Sequence, residues 1–310
     1  MNLPKSVTIV EVGPRDGFQS EPGFVATDEK IELIERLSDV GLKRIEITSF
    51  VSPGTVPQLR DSEEVAAGLS RRPGVRYCAL TPNFKGLERA ILAGMDEIAL
   101  FVSASETHNK KNVRMSVERS LRAFRQMAQS ALRRGMRIRG YVATAFGCEY
   151  EGRVSIEQVK RIVLEYIAMG IQEISLGDTT GMANPVAVRT MIRELRPILG
   201  NTAFALHFHD TRGTGIANVV AAIEEGAAIF DSSIGGLGGC PASRTSSGNV
   251  ATEDLVGILH EMGIDTGIDL DSLIEVARYA RKIIGKELPG HLLSAGKVNW
   301  QGQEIAARSR

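Results

Sequence analysis

Two histidines separated by one residue are the feature of this sequence that most directly suggests chemistry. His207-Phe208-His209 follows the apolar run Phe204-Ala205-Leu206, and Asp210 comes next. Side chains two residues apart point the same way in an extended strand, so both imidazoles face one side. Such a pair is suited to binding a metal ion, although two histidines alone are equally compatible with core residues whose hydrogen bonds are satisfied.

The composition argues against several classes of function. The 310 residues include 37 basic and 37 acidic side chains, so net charge gives no reason to expect nucleic acid or a membrane surface as partner. We find no signal-peptide core and no run of roughly 20 apolar residues. Cys78, Cys148 and Cys240 are widely spaced, as expected for free thiols in a reducing compartment. The sequence therefore predicts a soluble, cytoplasmic protein.

Glycines that precede apolar segments reveal a repeat of about 30 residues. We expect these glycines to adopt the left-handed conformation that ends a helix. With one segment at the N-terminus, the predicted strands are Val7–Val12, Leu42–Ile47, Val75–Leu80, Met95–Val102, Met136–Val142, Ile171–Leu176, Thr202–Leu206 and Ala227–Phe230. Helical periodicity predicts helices at Thr27–Val40, Val117–Arg134, Ile156–Met169, Pro185–Leu199, Ile216–Glu225, Thr252–Met262 and Asp271–Ile284.

Eight strand–helix units predict an α/β fold of the (β/α)8 TIM-barrel type. The alternative is an open doubly wound sheet, which is disfavoured because eight units fill the chain and no GxGxxG follows the first strand. We expect one domain, with the barrel at about residues 6–262, a C-terminal helical extension at about 263–300 and a tail at 301–310. In such a barrel, chemistry gathers where the strands end.

The strand ends place further ligand types beside the histidine pair. Asp16 follows the first strand and Asn249 follows the eighth, and both strands neighbour the seventh in a closed barrel. With His207 and His209 they form a mixed nitrogen and oxygen set that suits Mg²⁺ or Mn²⁺, with Co²⁺ or Zn²⁺ as alternatives. Because three strand ends supply ligand types, a divalent-metal site is favoured over two core histidines.

Eight segments carry motifs that matter as a group. They are Glu11–Gly17, Glu46–Pro53, Leu80–Asn83, Gly140–Val142, Ser175–Thr179, His207–Thr211, Gly235–Pro241 and Gly248–Asp254. Taken together and in this order, they resemble the hydroxymethylglutaryl-CoA lyases over roughly residues 6–285. The resemblance implies a metal-dependent TIM barrel related to the isopropylmalate and homocitrate synthases, and a homodimer.

The resemblance also implies a reaction, the cleavage of 3-hydroxy-3-methylglutaryl-CoA or a similar thioester to acetyl-CoA and acetoacetate. Arg15 is expected to stabilise negative charge on the thioester oxygen, and Cys240 to protonate the enolate carbon. Without the resemblance, Arg15 also fits a surface salt bridge and Cys240 a small buried side chain. The base stays open among three residues. His207 could relay the proton while bound to metal, and Asp178 and Glu46 are the other candidates, either of which is also compatible with a ligand-orienting role.

Ten residues are expected to contact the acyl-CoA substrate. They are Gln19, Ser49, Asn83, Lys110, Lys111, Asn112, Thr144, Ser175, Arg212 and Glu253. Those at 83 and 110–112 are candidates for the coenzyme A nucleotide, although the lysines also fit solvated surface charge. The glycine-rich loop Gly235–Gly239 suits phosphate binding, or, by the resemblance, a cover over the site.

Three departures from the family pattern leave related thioesters open as substrates. Arg212-Gly213-Thr214 stands where these lyases usually have Tyr-Gly-Gln, Ala242–Ser247 differs from the usual Tyr-Ala-Lys-Gly-Ala-Ser, and Phe18 replaces a leucine. Citramalyl-CoA or a longer 3-hydroxy-3-alkylglutaryl-CoA therefore stays open as substrate. A condensing synthase or aldolase of the same superfamily and a non-catalytic binding protein are the remaining alternatives.

Overall fold

Eight parallel strands close into a barrel in the computed structural model, which describes residues 3–239 and 248–300. The strands follow one another around the ring in chain order, and the first pairs with the last. They are β1 (Thr8–Glu11), β2 (Arg44–Ser49), β3 (Arg76–Leu80), β4 (Glu97–Ser103), β5 (Arg137–Ala143), β6 (Glu173–Asp178), β7 (Ala203–Phe208) and β8 (Ile229–Ser232). The predicted barrel is confirmed.

Helices connect the strands and cover the outside of the barrel. They are α1 (Thr27–Asp39), α2 (Ser62–Gly68), α3 (Phe84–Leu92), α4 (Glu106–Val113), α5 (Val117–Leu132), α6 (Ile156–Ala168), α7 (Pro185–Leu199), α8 (Gly215–Glu224), α9 (Thr252–Glu261), α10 (Leu270–Ile284) and α11 (Leu292–Ala295). The seven predicted helices are all present. The four that the sequence did not predict, α2, α3, α4 and α11, have nine residues or fewer, too short for an apolar pattern to repeat. Within residues 3–239 and 248–300, we find no helix with the length and hydropathy that crossing a membrane requires.

The strands are shifted toward their C-terminal ends relative to the prediction. Each begins one or two residues late, because apolar residues just after the glycines, such as Leu42 and Ile171, are buried before the strand starts. Several strands then continue into polar residues, including Asp178 on β6. The glycines themselves behave as expected: residues 41, 74, 94, 135, 170, 200 and 226 all have positive φ. The shift places candidate site residues on rigid strands.

The two faces of the barrel wall differ in chemistry. On β7, Leu206 and Phe208 belong to the main apolar core between strands and helices, whereas His207 lies on the opposite, inward face. Arg44 of β2 and Glu173 of β6 form an ion pair although their strands lie on opposite sides of the ring, which is possible only through the interior. The barrel interior is therefore strongly polar.

Candidate metal centre and active site

Three ligand-type side chains converge at the C-terminal mouth of the barrel. Asp16 lies in a short helical turn, Gly13–Gly17, directly after β1, while His207 is on β7 and His209 immediately follows that strand. One ligand atom of each lies within 4.8 Å of the other two. The Nε2 atoms of the two histidines face each other at 3.2 Å. Strand alternation therefore brings both imidazoles to one point, as the sequence predicts.

Asn249 adds an oxygen to this group. A β-bridge pairs it with His209, and its Nδ2 donates to Oδ2 of Asp16 at 2.8 Å and to the carbonyl of Leu237 at 2.9 Å. Its buried Oδ1 accepts no hydrogen bond from residues 3–239 or 248–300. A buried acceptor left without a donor costs about 1–3 kcal/mol, and a bound cation would remove that cost. Two imidazoles, a carboxylate and this amide oxygen fit a divalent cation.

A glycine of the loop after β8 packs directly on the ligand set. Gly238 has a φ of +117°, and a Cβ built there would lie 2.3 Å from Nδ2 of Asn249 and 3.2 Å from Oδ2 of Asp16. Only glycine combines this conformation with this close approach. The loop Gly235–Gly239 therefore forms one wall of the candidate metal centre. The predicted acid, Cys240, lies outside the described residues, as do residues 241–247.

Burial sets the protonation states of the candidate ligands. Burial, followed by the proximity of His207, lowers the pKa of His209 to about 3, so its imidazole is neutral near pH 7. Burial opposes ionisation of Asp16, but Arg15 and then His207 hold the pKa of that carboxyl below its usual value. A neutral imidazole and an ionised carboxylate are the forms that bind a metal ion.

Arg15 extends the site on the side of Asp16. Its Nη1 donates to Oδ1 of Asp16 and its Nε donates to Oε1 of Glu46. Although burial disfavours a charge, Glu46 and Asp16 raise the pKa of Arg15 above its usual value, so the guanidinium stays cationic. Tyr141 donates to the other oxygen of Glu46 at 2.8 Å. A fixed cation therefore stands beside the candidate metal ligands.

The three residues considered as the base differ in whether a side-chain atom is left without a hydrogen-bond partner among the described residues. Both carboxylate oxygens of Glu46 and both ring nitrogens of His207 have protein partners. Asp178 accepts two backbone N–H groups through Oδ1, but its buried Oδ2 has no hydrogen-bond partner in the described part of the chain. Burial raises the pKa of Asp178 to about 7. Asp178 is therefore the candidate with an oxygen available for a substrate proton.

Three interior residues that support the site are not among the site residues predicted from the sequence. Asp231 lies 3.2 Å from Nδ1 of His207 through its Oδ2, and Arg139 bonds both Asp231 and Tyr141. Burial opposes ionisation of Asp231, but Arg139 lowers its pKa to about 2. The available signal was polar side chains at every second position of an apolar strand, as in Arg139-Gly140-Tyr141, which indicates a polar inward face.

Three of the predicted substrate contacts lie among polar groups at the strand ends. Gln19 donates to Oδ1 of Asp16 at 2.7 Å, and Ser49 donates to a backbone carbonyl of β3 at 3.3 Å. Thr144 follows β5 with a φ of +54°, which is strained for a β-branched residue, and its hydroxyl lies 2.7 Å from that of Ser103. Such strain is common at functional sites, but substrate contact by these residues stays a prediction.

Four further predicted contacts lie on the outer part of the same face, after β3 and β4. Asn83 caps α3 by accepting a backbone N–H at 2.9 Å. On α4, Lys110 pairs with a glutamate one turn earlier at 3.3 Å, and Lys111 places its Nζ 4.1 Å from the ring centroid of Tyr150. Asn112 is exposed. The exposed lysines are thus on the face that carries the metal-ligand set, and their role toward a nucleotide stays a prediction.

The last three residues predicted to contact the substrate form hydrogen bonds with other groups of the protein. Ser175 donates to Oδ2 of Asp231 at 3.2 Å, and Arg212 donates to two backbone carbonyls of the loop after β6, both at 2.8 Å. Glu253 accepts the backbone N–H of Gly235 at 2.9 Å, and burial raises its pKa to about 8. These bonds show each side chain supporting a strand or loop, so direct contact with substrate stays a prediction.

The fold and the site together define a class of protein. A closed α/β barrel with imidazole, carboxylate and amide groups gathered at its C-terminal mouth is the arrangement of a metal-dependent barrel enzyme. The HMGL-like family model matches residues 6–279, and the chain belongs to that family.

Individual relatives agree with this assignment. The chain is 49% identical to the hydroxymethylglutaryl-CoA lyase YngG of Bacillus subtilis (strain 168), over 96% of this chain and 99% of that protein. It is 44% identical to the mitochondrial hydroxymethylglutaryl-CoA lyase of Homo sapiens, over 94% and 90% of the two chains. An HMG-CoA lyase from Acinetobacter baumannii, solved with coenzyme A and 3-methylmalate, superposes with a TM-score of 0.93 at 45% identity, over 97% of this chain and 98% of that one. The predicted family and the predicted carbon–carbon lyase class are confirmed.

Proposed function

We propose that this protein is a divalent-metal-dependent lyase that cleaves 3-hydroxy-3-methylglutaryl-CoA to acetyl-CoA and acetoacetate. The observation that carries the proposal is the convergence of Asp16, His207 and His209, with the cation of Arg15 alongside. Beside them lies a buried oxygen of Asn249 that has no hydrogen-bond partner among residues 3–239 and 248–300. Similarity to hydroxymethylglutaryl-CoA lyases over more than nine-tenths of the chain supports the choice of substrate.

The side chains at the mouth supply what such a cleavage requires. A cation bound by the four ligand residues, most consistent with Mg²⁺ or Mn²⁺, would lower the pKa of the substrate's tertiary hydroxyl. Asp178 then accepts the hydroxyl proton at Oδ2, and the electrons of the breaking C–C bond move onto the thioester as an enolate. Arg15 stabilises the charge on the enolate oxygen. Cys240, assigned by family resemblance, protonates the enolate carbon to complete acetyl-CoA.

Arg212 makes related thioesters the second candidate substrates. It replaces the tyrosine usual in this family and clamps the loop after β6 through two carbonyls. That loop also orients Asp178, because its backbone N–H groups bond Oδ1 of that residue. A change at this position therefore acts on the part of the pocket next to the proposed base, which favours testing citramalyl-CoA and longer 3-hydroxy-3-alkylglutaryl-CoA substrates.

The proposal is tested by assaying a panel of 3-hydroxyacyl-CoA thioesters. Each is incubated with metal-free enzyme and then with enzyme to which Mg²⁺, Mn²⁺, Co²⁺ or Zn²⁺ has been added. We expect metal-dependent release of acetyl-CoA, fastest from the methylglutaryl substrate. Release of no acetyl-CoA from any thioester, together with condensation of acetyl-CoA and a 2-oxo acid, would instead identify a synthase. Ligand binding that is unaffected by His209→Ala and accompanied by no turnover would identify a binding protein.

Location and assembly belong to the same proposal. A cytoplasmic location is supported by Cys78 and Cys148, which are free, buried thiols. A homodimer is expected from the family resemblance. Light scattering after gel filtration measures the mass in solution, and a monomer mass at working concentration would rule out the dimer.

A further inference from the structure

A buried arginine lies beneath the mouth and contacts side chains of its own strand and of two others. Arg139, on β5, has no exposed surface. Its Nη2 donates to Oδ1 of Asp231 on β8, its Nη1 donates to the hydroxyl of Tyr141 at 3.0 Å, and its Nε lies 2.8 Å from Oε1 of Glu173 on β6. The planar guanidinium fixes the directions of the two hydrogen bonds at once, whereas the contact with Glu173 is an ion pair without hydrogen-bond geometry.

One branch from this arginine leads to the histidine pair. Asp231 uses one oxygen for Arg139 and places the other 3.2 Å from Nδ1 of His207, where Ser175 also donates at 3.2 Å. An ionised carboxylate at Nδ1 keeps the proton on that nitrogen, so Nε2 is left with its lone pair. Nε2 is the atom that faces His209. Arg139 therefore fixes the orientation and tautomer of His207 through Asp231.

The second branch leads to the cation at the mouth. Because Arg139 donates to the hydroxyl oxygen of Tyr141, the proton of that hydroxyl is directed to Glu46, 2.8 Å away. The other oxygen of Glu46 accepts from Nε of Arg15. The orientation of Arg15 therefore depends on Glu46, and that of Glu46 on Tyr141 and Arg139.

One of these contacts goes beyond charge compensation. The ion pairs with Asp231 and Glu173 offset the charge of the guanidinium. The bond from Arg139 to the neutral hydroxyl of Tyr141 compensates no charge at all. This bond is explained if the guanidinium is a rigid frame that holds two separate hydrogen-bond chains in register.

We propose that Arg139 is a positioning residue that couples the two halves of the active site, setting His207 through Asp231 and Arg15 through Tyr141 and Glu46. It reaches the chemistry only through these residues. The proposal rests on the proposed metal-dependent lyase function, but metal binding can be measured without any substrate.

The experiment uses the full-length enzyme and two readouts, Mn²⁺ affinity from the electron paramagnetic resonance signal of free Mn²⁺ and kcat at saturating metal and substrate. Asp231→Asn should weaken Mn²⁺ binding about 10- to 100-fold. Tyr141→Phe should change Mn²⁺ affinity much less than Asp231→Asn does and should lower kcat, by up to about 100-fold for a misplaced Arg15. Arg139→Lys keeps the positive charge but loses the planar guanidinium, so it should both weaken Mn²⁺ binding and lower kcat. Arg137→Lys, on the same strand but exposed, is the matched control and should change neither readout.

Double-mutant cycles decide whether Arg139 acts through these partners. We expect Arg139→Lys to be non-additive with Asp231→Asn in Mn²⁺ affinity, and with Tyr141→Phe in kcat. Additive effects, or a folded Arg139→Lys enzyme with unchanged affinity and turnover, would overturn the proposal. If Arg139→Lys does not fold, identical effects of Asp231→Asn and Tyr141→Phe on both readouts would overturn it as well. Wild-type enzyme that neither binds Mn²⁺ nor cleaves a thioester would instead refute the proposed function.

Discussion

The two ends of the barrel interior bury polar groups in different ways. At the mouth, Oδ1 of Asn249 and Oδ2 of Asp178 are buried without a partner among the described residues. At the opposite end, which we call the floor, Arg44 bonds both Glu97 and Glu173, and Arg76 lies 3.3 Å from Glu97. At the mouth, buried polar atoms are thus left able to bind a ligand, whereas at the floor the charged groups are paired with one another.

This difference indicates which buried polar residues serve chemistry and which serve the fold. An unpartnered buried acceptor destabilises the protein unless a ligand completes it, whereas a paired ion cluster offsets much of its own desolvation. The position of a residue along its strand, rather than its type, therefore determines its role. Four substitutions test this interpretation of the buried polar residues, beginning with the largest expected effect.

His209→Ala should remove metal binding at the mouth. We expect loss of measurable Mn²⁺ binding and a fall in kcat of about 1,000-fold or more, because both the hydroxyl-activating cation and its orientation are lost. Mn²⁺ titration and acetyl-CoA release measure the two effects. His260→Ala, on the exposed end of α9, is the control and should behave as wild type. Tight metal binding by His209→Ala would place the metal elsewhere.

Cys240→Ser should separate proton donation from metal binding. We expect unchanged Mn²⁺ affinity and a fall in kcat of about 100-fold or more, since a hydroxyl is a much weaker acid than a thiol. The same titration and turnover assay apply. Full activity of this variant would remove Cys240 from the mechanism.

Arg44→Met should affect stability rather than chemistry, because it lies on the floor. Loss of this partner leaves Glu97 and Glu173 undercompensated, and we expect a fall of about 3–5 kcal/mol in the free energy of unfolding. Mn²⁺ affinity of the folded protein should not change. Arg122→Met, which breaks an exposed helical pair, should cost less than about 1 kcal/mol in the same urea titrations. A large loss of metal affinity in Arg44→Met would contradict the separation of floor and mouth.

Glu253→Gln tests a carboxyl buried beneath the glycine-rich loop. Burial raises the pKa of Glu253 from 4.5 to about 8, so the folded state retains a proton that the unfolded chain releases between those values. Stability contributed by the protonated form is therefore lost as pH rises from about 5 to 8. Relative to the variant, the free energy of unfolding of wild type should fall by on the order of 3–4 kcal/mol over this range, measured by urea unfolding at several pH values. A constant difference at every pH would show that Glu253 titrates normally.

Sequence patterns that depend on local geometry were sufficient to predict the strands and helices of the barrel and the candidate metal ligands. Glycines with positive φ mark the helix ends, and two-residue alternation places His207 and His209 on one face. Asp16 and Asn249 then follow from the circular order of the strands, because a closed barrel makes the first strand a neighbour of the last. Family motifs supplied the reaction type.

The tertiary structure alone decided which interior side chains meet. Arg139 and Asp231 are 92 positions apart in the chain, and nothing local to either residue indicates the other. Their contact depends on strand register and on closure of the ring, which are properties of the whole barrel. The same holds for the availability of Asp178, since an unpartnered oxygen can be recognised only once the partners of its neighbours are known. Local periodicity determines the direction in which a side chain points, whereas the packing of distant strands determines what it contacts.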